Sequence, residues 1–247
     1  RDKWKSGFGS KYIKFGEKVA AKYADEIIVL SKGVQDYFKQ TYGRDTILIP
    51  NGVSRPENVE ADLLTKKFGL HKDDYICALS RLTEEKGIHY LIEAYQNVKT
   101  DKKLVIAGDT SDTDDYVMKL KKLAGNNPNI IFTGFVSGRT LEELYSNAYV
   151  YVLPSKLEGM PLSLLEAMSY GNCGIGSDIA EIADVVEDKA ILFKKANVED
   201  LKEKLQMVCD DVELVEKYKS EASGYICGRY NWEDVVSRTV EVYRGKK

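Results

Sequence analysis

The sequence predicts an α/β fold, a doubly wound parallel sheet, and three observations carry that prediction. From about residue 74, short apolar runs alternate with segments of helical periodicity. The runs are nearly continuous in β-branched, aliphatic and aromatic residues, as strands buried on both faces are. Strand alternating with helix implies βαβ units, whose crossover helices cover a parallel sheet.

Taken in order, residues 10–24 have helical spacing, with Tyr12, Phe15, Val19 and Tyr23 on one stripe. Glu26-Ile-Ile-Val-Leu30 reads as a strand, and Ser31 is a natural N-cap for a helix running to about Tyr42. Ile47-Leu-Ile49 is a further short strand, closed by the turn signal Pro50-Asn-Gly52. The expected strands of the main sheet are Tyr75–Leu79, Lys103–Ala107, Ile130–Thr133, Tyr149–Leu153, Cys173–Gly176 and Ala190–Phe193. Helices are expected over 87–98, 114–124, 140–147, 162–170 and 181–187. After them Leu201, Leu205 and Val208 share a helical face, a helix covers 212–223, and Trp232, Val235, Val236, Thr239 and Tyr243 follow helical spacing. Three regions result: 1–45 as the end of a preceding domain, 46–230 as the main domain, and 231–247 as a closing helix. Because the chain opens at Arg1, it is expected to be a piece of a longer protein.

The 247 residues are 43% hydrophobic and 30% charged, an ordinary soluble composition with length for a sizeable core. No apolar run reaches bilayer-spanning length. Cys77, Cys173, Cys209 and Cys227 lack paired metal-ligand spacing and read as free thiols in a reducing cytoplasm. Two histidines, His71 and His89, argue against histidine-rich metal chemistry. The net charge of −3 conceals a basic head: residues 1–44 carry 10 Lys and Arg against 5 Asp and Glu. Such a head suits either a solvated helix face or a peripheral contact with an anionic membrane.

Binding chemistry is expected past the strand ends, where ligands sit in such sheets. Arg81 and Lys86 leave the first main strand just before a helix, and two cations near a helix N-terminus suit a diphosphate. After the strand Tyr149–Leu153 comes Glu158-Gly-Met-Pro-Leu-Ser-Leu-Leu-Glu-Ala-Met168. Gly159 permits close backbone approach, Pro161 suits a helix start, and Leu162, Leu165, Ala167 and Met168 form the apolar side. Glu158 and Glu166 bracket this anion-friendly end, and carboxylates accept hydroxyls rather than phosphates. The layout fits a phosphorylated molecule that also carries sugar hydroxyls.

Arg81-x-x-x-Glu-Lys-Gly87, Gly134-Phe135 after a strand, and Glu158, seven residues, Glu166 together resemble the family-4 glycosyltransferases, retaining enzymes of the two-domain, Rossmann-like GT-B type. The resemblance covers residues 46–244, about four fifths of the chain, as the C-terminal donor-binding domain. Residues 1–45 resemble the end of the N-terminal, acceptor-binding domain, in the rhamnosyltransferase-like capsule and cell-wall branch. Tyr230-Asn-Trp232 resembles the start of the helix that crosses back to that domain. It implies that Arg81 and Lys86 bind the donor diphosphate, and that Glu158 holds sugar hydroxyls at the reacting face. It also implies that Gly159, Met160, Pro161 and Leu162 line the sugar–phosphate pocket, Glu166 accepts ribose hydroxyls, and the backbone near Phe135 meets the base. The sequence departs from the pattern at Gly171-Asn-Cys-Gly-Ile175, usually Gly-x-Pro-Val-Val, and at Ser177–Glu181, which lacks a frequent Gly-Gly pair.

The implied reaction moves a sugar from a nucleotide-diphosphate sugar, a UDP-sugar first among them, to a glycan or lipid-linked acceptor, without metal or other cofactor. Nucleic acid is not an expected partner, and the location is cytoplasmic, at the inner membrane face where the acceptor is lipid-linked. By itself the chain is expected to bind donor without its acceptor-binding half. Three alternatives compete. Asp112-x-Asp114 mimics the metal-binding pair of the other glycosyltransferase fold, or is an acidic helix start. A dinucleotide-dependent oxidoreductase lacks support because Ser80–Gly87 has no closely packed glycines. A non-catalytic nucleotide-sugar-binding module is the third.

Overall fold

The computed structural model describes residues 7–109 and 115–245. The chain forms two compact units, residues 1–52 with 232–247, and residues 53–231.

The first unit opens with α1 (Gly7–Tyr23), β1 (Ile28–Val29), α2 (Lys32–Tyr42) and β2 (Ile47–Leu48). Ser31 caps α2 as expected, its Oγ accepting the Val34 N–H, and Gly43 closes the helix in the left-handed conformation at φ 63°. Both strands are shorter than the apolar runs that contain them. They pair in parallel with each other alone among the described residues, Ile28 opposite Ile47 and Val29 opposite Leu48. That pairing assigns β2 to the opening unit, so the division falls after Gly52. Glu17 of α1 accepts the phenols of Tyr37 at 2.5 Å and Tyr42 at 2.6 Å, tying α1 to α2. Tyr12, Phe15, Val19 and Tyr23, the stripe seen in the sequence, are all exposed.

The second unit contains α3 (Leu63–Phe68), β3 (Tyr75–Leu79), a 3-10 turn (Glu84–Lys86), α4 (Ile88–Tyr95), β4 (Lys103–Ala107), α5 (Asp115–Ala124) and β5 (Ile130–Gly134). It continues through α6 (Gly138–Ser146), β6 (Val150–Leu153), α7 (Leu162–Ser169), β7 (Cys173–Ser177), α8 (Ala180–Val186), β8 (Ile191–Phe193), α9 (Val198–Asp210) and α10 (Val212–Arg229). Among the described residues its six strands are all parallel, in the order β5-β4-β3-β6-β7-β8. Successive side chains go to opposite faces. Tyr75, Cys77, Tyr151 and Leu153 join a core with α6, α7 and α10, while Ile76, Ala78, Val150 and Val152 join another with α4, α5 and α9. This is the doubly wound α/β fold that the alternation predicts.

Two differences from the sequence reading have physical causes. Helix α3 is too short to show a period, and it forms because Glu143, a fully buried carboxylate on α6, accepts the N–H groups of Asp62 and Leu64 at 3.0 Å each. Helix α10 runs six residues beyond 223 despite Gly224 and Gly228, which weaken a helical pattern. Ala222 and Ile226 are fully buried, and that burial overrides propensity. The departure at Gly171–Ile175 also has a packing reason. A Cβ on Gly174 would stand 2.9 Å from the Leu164 side chain, and one on Gly176 2.7 Å from that of Ile182, so these glycines let α7 and α8 close on β7. All four cysteines are free; Cys77 and Cys173 are buried, Cys209 and Cys227 partly so. The closing helix α11 (Trp232–Tyr243) groups with the first unit, where Arg238 donates to the Leu48 carbonyl at 2.5 Å.

Candidate functional site

Strands β3 and β6 are neighbours in the sheet, yet the chain leaves β3 toward β4 and β6 toward β7. Connections that diverge from adjacent strands open a crevice at their carboxyl ends. A cavity of about 500 Å³ lies there. Leu79 enters it at the end of β3, Ser80, Arg81 and Lys86 after β3, Gly108 and Asp109 after β4, Phe135 and Val136 after β5, and Glu158, Met160, Leu162 and Ser163 after β6.

Two glycines allow this convergence. Gly108 has φ 128°, and a Cβ there would fall 1.9 Å from the Ser80 carbonyl oxygen. Gly87 has φ 67°, and its Cβ would fall 2.1 Å from the Pro154 carbonyl oxygen. Only glycine lets the cationic turn lie against the end of β6. A backbone hydrogen bond from Lys156 N–H to the Glu85 carbonyl, 2.8 Å, joins the same two segments.

The charged centre of the cleft is an ion pair. Lys86 Nζ donates to Glu158 Oε1 at 2.6 Å, with the side chains 17% and 6% exposed. In low-dielectric surroundings such a pair attracts strongly, and neither charge tolerates loss of the other. Arg81 is exposed at the mouth and makes no ion pair among the described residues. Phe135 lies at the same mouth, 76% exposed, an aromatic surface without a packing role.

Behind the turn, His89 Nδ1 lies 2.7 Å from the Tyr116 hydroxyl, which also accepts the His89 backbone N–H. Burial lowers the imidazole's pKa, against an opposing pull from Glu84 at 3.9 Å. The fully buried Tyr151 donates its hydroxyl to the carbonyl of Leu79, a lining residue, at 2.9 Å, and burial pushes the phenol's pKa well up.

The start of α7 is narrower as an anion site than the sequence suggests. Pro161 precedes the helix as its N-cap rather than sitting in its first turn. The Leu162 N–H is bonded to the Met160 carbonyl at 2.9 Å, and those of Leu164 and Leu165 to the Pro161 carbonyl at 3.0 Å. Among the described residues the Ser163 N–H has no acceptor, and it is the first-turn donor open to a ligand.

Of the residues singled out in the sequence, Arg81, Lys86, Phe135, Glu158, Met160 and Leu162 therefore line one cleft. Gly159 is exposed between two lining residues, and Pro161 is buried beneath them. Glu166 does not line the cavity; it is exposed one helical turn past Ser163, with Oε2 accepting the Tyr145 phenol at 3.0 Å. Sequence reasoning missed Ser163, although a polar residue one turn before Glu166 on the same face was a usable signal. Gly108 and Asp109 lie past a strand end, where binding was expected; Tyr145 was missed, because its proximity depends on strand order. Asp112 and Asp114 lie outside the described residues; among the described ones no three His, Cys, Asp or Glu side chains gather as metal ligands. No described helix is long and apolar enough to cross a membrane.

Known proteins share this architecture. The chain is 28% identical over 250 residues to an uncharacterised glycosyltransferase of Methanocaldococcus jannaschii, covering 95% of this chain and 64% of that protein. The O-antigen chain mannosyltransferase RfbU of Salmonella typhimurium is 27% identical over 232 residues, covering 91% of this chain and 61% of the relative. The chain thus spans somewhat under two thirds of the length of these relatives. Among solved structures, the Anabaena protein HepE in complex with UDP-glucose superposes with a TM-score of 0.87 at 20% identity, covering 96% of this chain and 68% of that one. This likeness establishes the GT-B fold. Residues 61–237, most of the chain and all of the cleft, match the family described as glycosyl transferases group 1, and the protein belongs to that family.

Proposed function

We propose that the cleft binds a nucleotide-diphosphate sugar, a UDP-sugar first, and that the complete protein transfers the sugar with retention to an acceptor hydroxyl. The observation that carries this reading is the meeting of Arg81, Lys86 and Glu158 with the start of α7 in one cavity. Arg81, Lys86 and the Ser163 N–H receive the diphosphate, and Glu158 turns from its ion pair to the sugar hydroxyls. Charge develops on the diphosphate as the sugar–oxygen bond breaks. Fixed cations at that point favour the transition state over the ground state, without a metal. The acceptor hydroxyl attacks from the face the diphosphate leaves. Gly159, Met160, Pro161 and Leu162 shape the sugar–phosphate pocket, the backbone at Phe135 meets the base, and Glu166 accepts ribose hydroxyls.

The acceptor is a glycan or lipid-linked chain of cell-surface polysaccharide, in the rhamnosyltransferase-like branch, reached from the cytoplasm at the inner membrane face. The UDP-glucose complex of HepE and the O-antigen role in the name of RfbU support this direction. Transfer in this fold occurs between two domains, so residues 1–247 bind donor and transfer little by themselves. Calorimetry against UDP-, GDP-, ADP- and dTDP-sugars, with and without EDTA, tests the reading. Binding of one class, unchanged by EDTA and weakened by Arg81→Ala, is expected. Failure to bind any of them, or an Arg81→Ala variant that binds as tightly, overturns it.

A further inference from the structure

We propose that Tyr145 is a positioning residue that gives the nucleotide site its selectivity for ribose, by holding the Glu166 carboxylate for the sugar hydroxyls. This inference rests on the reading of Glu166 as the ribose acceptor. Glu166 stands on the exposed side of α7, one turn past Ser163, which lines the cleft. Helical side chains lean toward the helix N-terminus, so the carboxylate reaches back over the turn bearing Leu162 and Ser163. An unrestrained glutamate on an exposed helix surface samples many rotamers, and ordering it on binding costs free energy. Here its Oε2 is already engaged by the Tyr145 hydroxyl at 3.0 Å.

The donor itself is fixed. Tyr145 is 2% exposed, its ring stacked on Tyr170 at 5.4 Å and tilted against Tyr151 at 5.8 Å. Asn172 Nδ2 donates both to the Tyr145 carbonyl at 2.7 Å and to the Ala167 carbonyl at 2.8 Å, so the end of α6 is tied to α7 itself. The preceding carbonyl, that of Leu144, accepts the Tyr75 hydroxyl at 2.8 Å. Burial raises the Tyr145 pKa well above its usual value, so the hydroxyl remains a proton donor at neutral pH. A carboxylate offers about four acceptor positions. Tyr145 takes one on Oε2, and Oε1, which has no partner among the described residues, is left for an adjacent hydroxyl pair. A nucleotide lacking the 2′-hydroxyl fills only part of that prepared acceptor, because its 3′-hydroxyl remains.

The test measures binding of UDP and 2′-deoxy-UDP by calorimetry to the wild-type chain, Glu166→Gln, Tyr145→Phe and the double variant, with melting temperatures alongside. The wild-type chain is expected to prefer UDP about tenfold, the order of a charge-assisted hydrogen bond. Glu166→Gln brings the two affinities together. Tyr145→Phe weakens UDP about fivefold, weakens 2′-deoxy-UDP less, and adds nothing in the Glu166→Gln background. A purely structural Tyr145 would lower the melting temperature and shift both ligands equally, and that result overturns the proposal. Preference lost in Glu166→Gln but intact in Tyr145→Phe overturns it while sparing Glu166. Preference intact in Glu166→Gln removes the ribose reading itself, and the proposal falls with it.

Discussion

Replacing Lys86 with Met separates two roles that one side chain performs. The ammonium lies 2.6 Å from a Glu158 carboxylate whose side chain is 6% exposed, so its loss strands a charge that water barely reaches. Breaking a buried pair from one side costs about 3–5 kcal/mol, and the 17% exposure of Lys86 discounts this to about 2–3 kcal/mol. Donor affinity suffers separately. A charge-assisted hydrogen bond is worth about 1.5–3 kcal/mol, or roughly tenfold to a hundredfold in dissociation constant. Combining Lys86→Met with Glu158→Gln removes both charges, and stability should return to within about 1 kcal/mol of wild type while affinity for the donor stays low. Urea unfolding and calorimetry read the two effects. A single variant within about 0.5 kcal/mol of wild type, the spread of neutral surface changes, would refute the electrostatic argument. A double variant that binds donor normally would refute the assignment of Lys86 to the diphosphate.

Three further outcomes follow from the geometry. Gly87→Ala, which forces a Cβ to within 2.1 Å of a carbonyl oxygen at φ 67°, should lower stability by about 2 kcal/mol or more in urea unfolding, whereas Gly159→Ala, with open space around it, should change stability little. Glu143→Ala strips the shared acceptor from two N–H groups before and within α3 and should cost about 2–4 kcal/mol, with Glu143→Gln costing less because one oxygen remains; equal losses would show that the carboxylate charge and its contact with Arg139, not the two backbone hydrogen bonds, are responsible. Burial holds the His89 pKa below its usual value, so the unfolded chain takes up a proton that the folded chain resists. Stability is therefore full above about pH 6.5 and declines as pH falls below it, and His89→Gln should flatten the urea midpoint between pH 6.5 and 5; an unchanged slope would assign the acid sensitivity elsewhere.

The order of strands and helices was legible because it is written in neighbours. Nearly continuous apolar runs mark β3 to β8, and the Ser31 cap marks the start of α2 from within a single turn. The Glu158–Glu166 segment was legible for the same reason, its turn, proline and helix being contiguous. Local pattern could not show α3, which depends on a carboxylate eighty residues away, nor the full length of α10, which depends on burial against the sheet. The ion pair at the centre of the cleft joins residues 72 apart, and Tyr145 reaches Glu166 across 21. Those meetings exist because β6 inserts beside β3 and carries α7 with it. Helical and strand periods are fixed by residues two to four apart, and the sequence determines them by itself. Which distant side chains face one another is decided by how the sheet buries its two faces, and only the tertiary structure holds that.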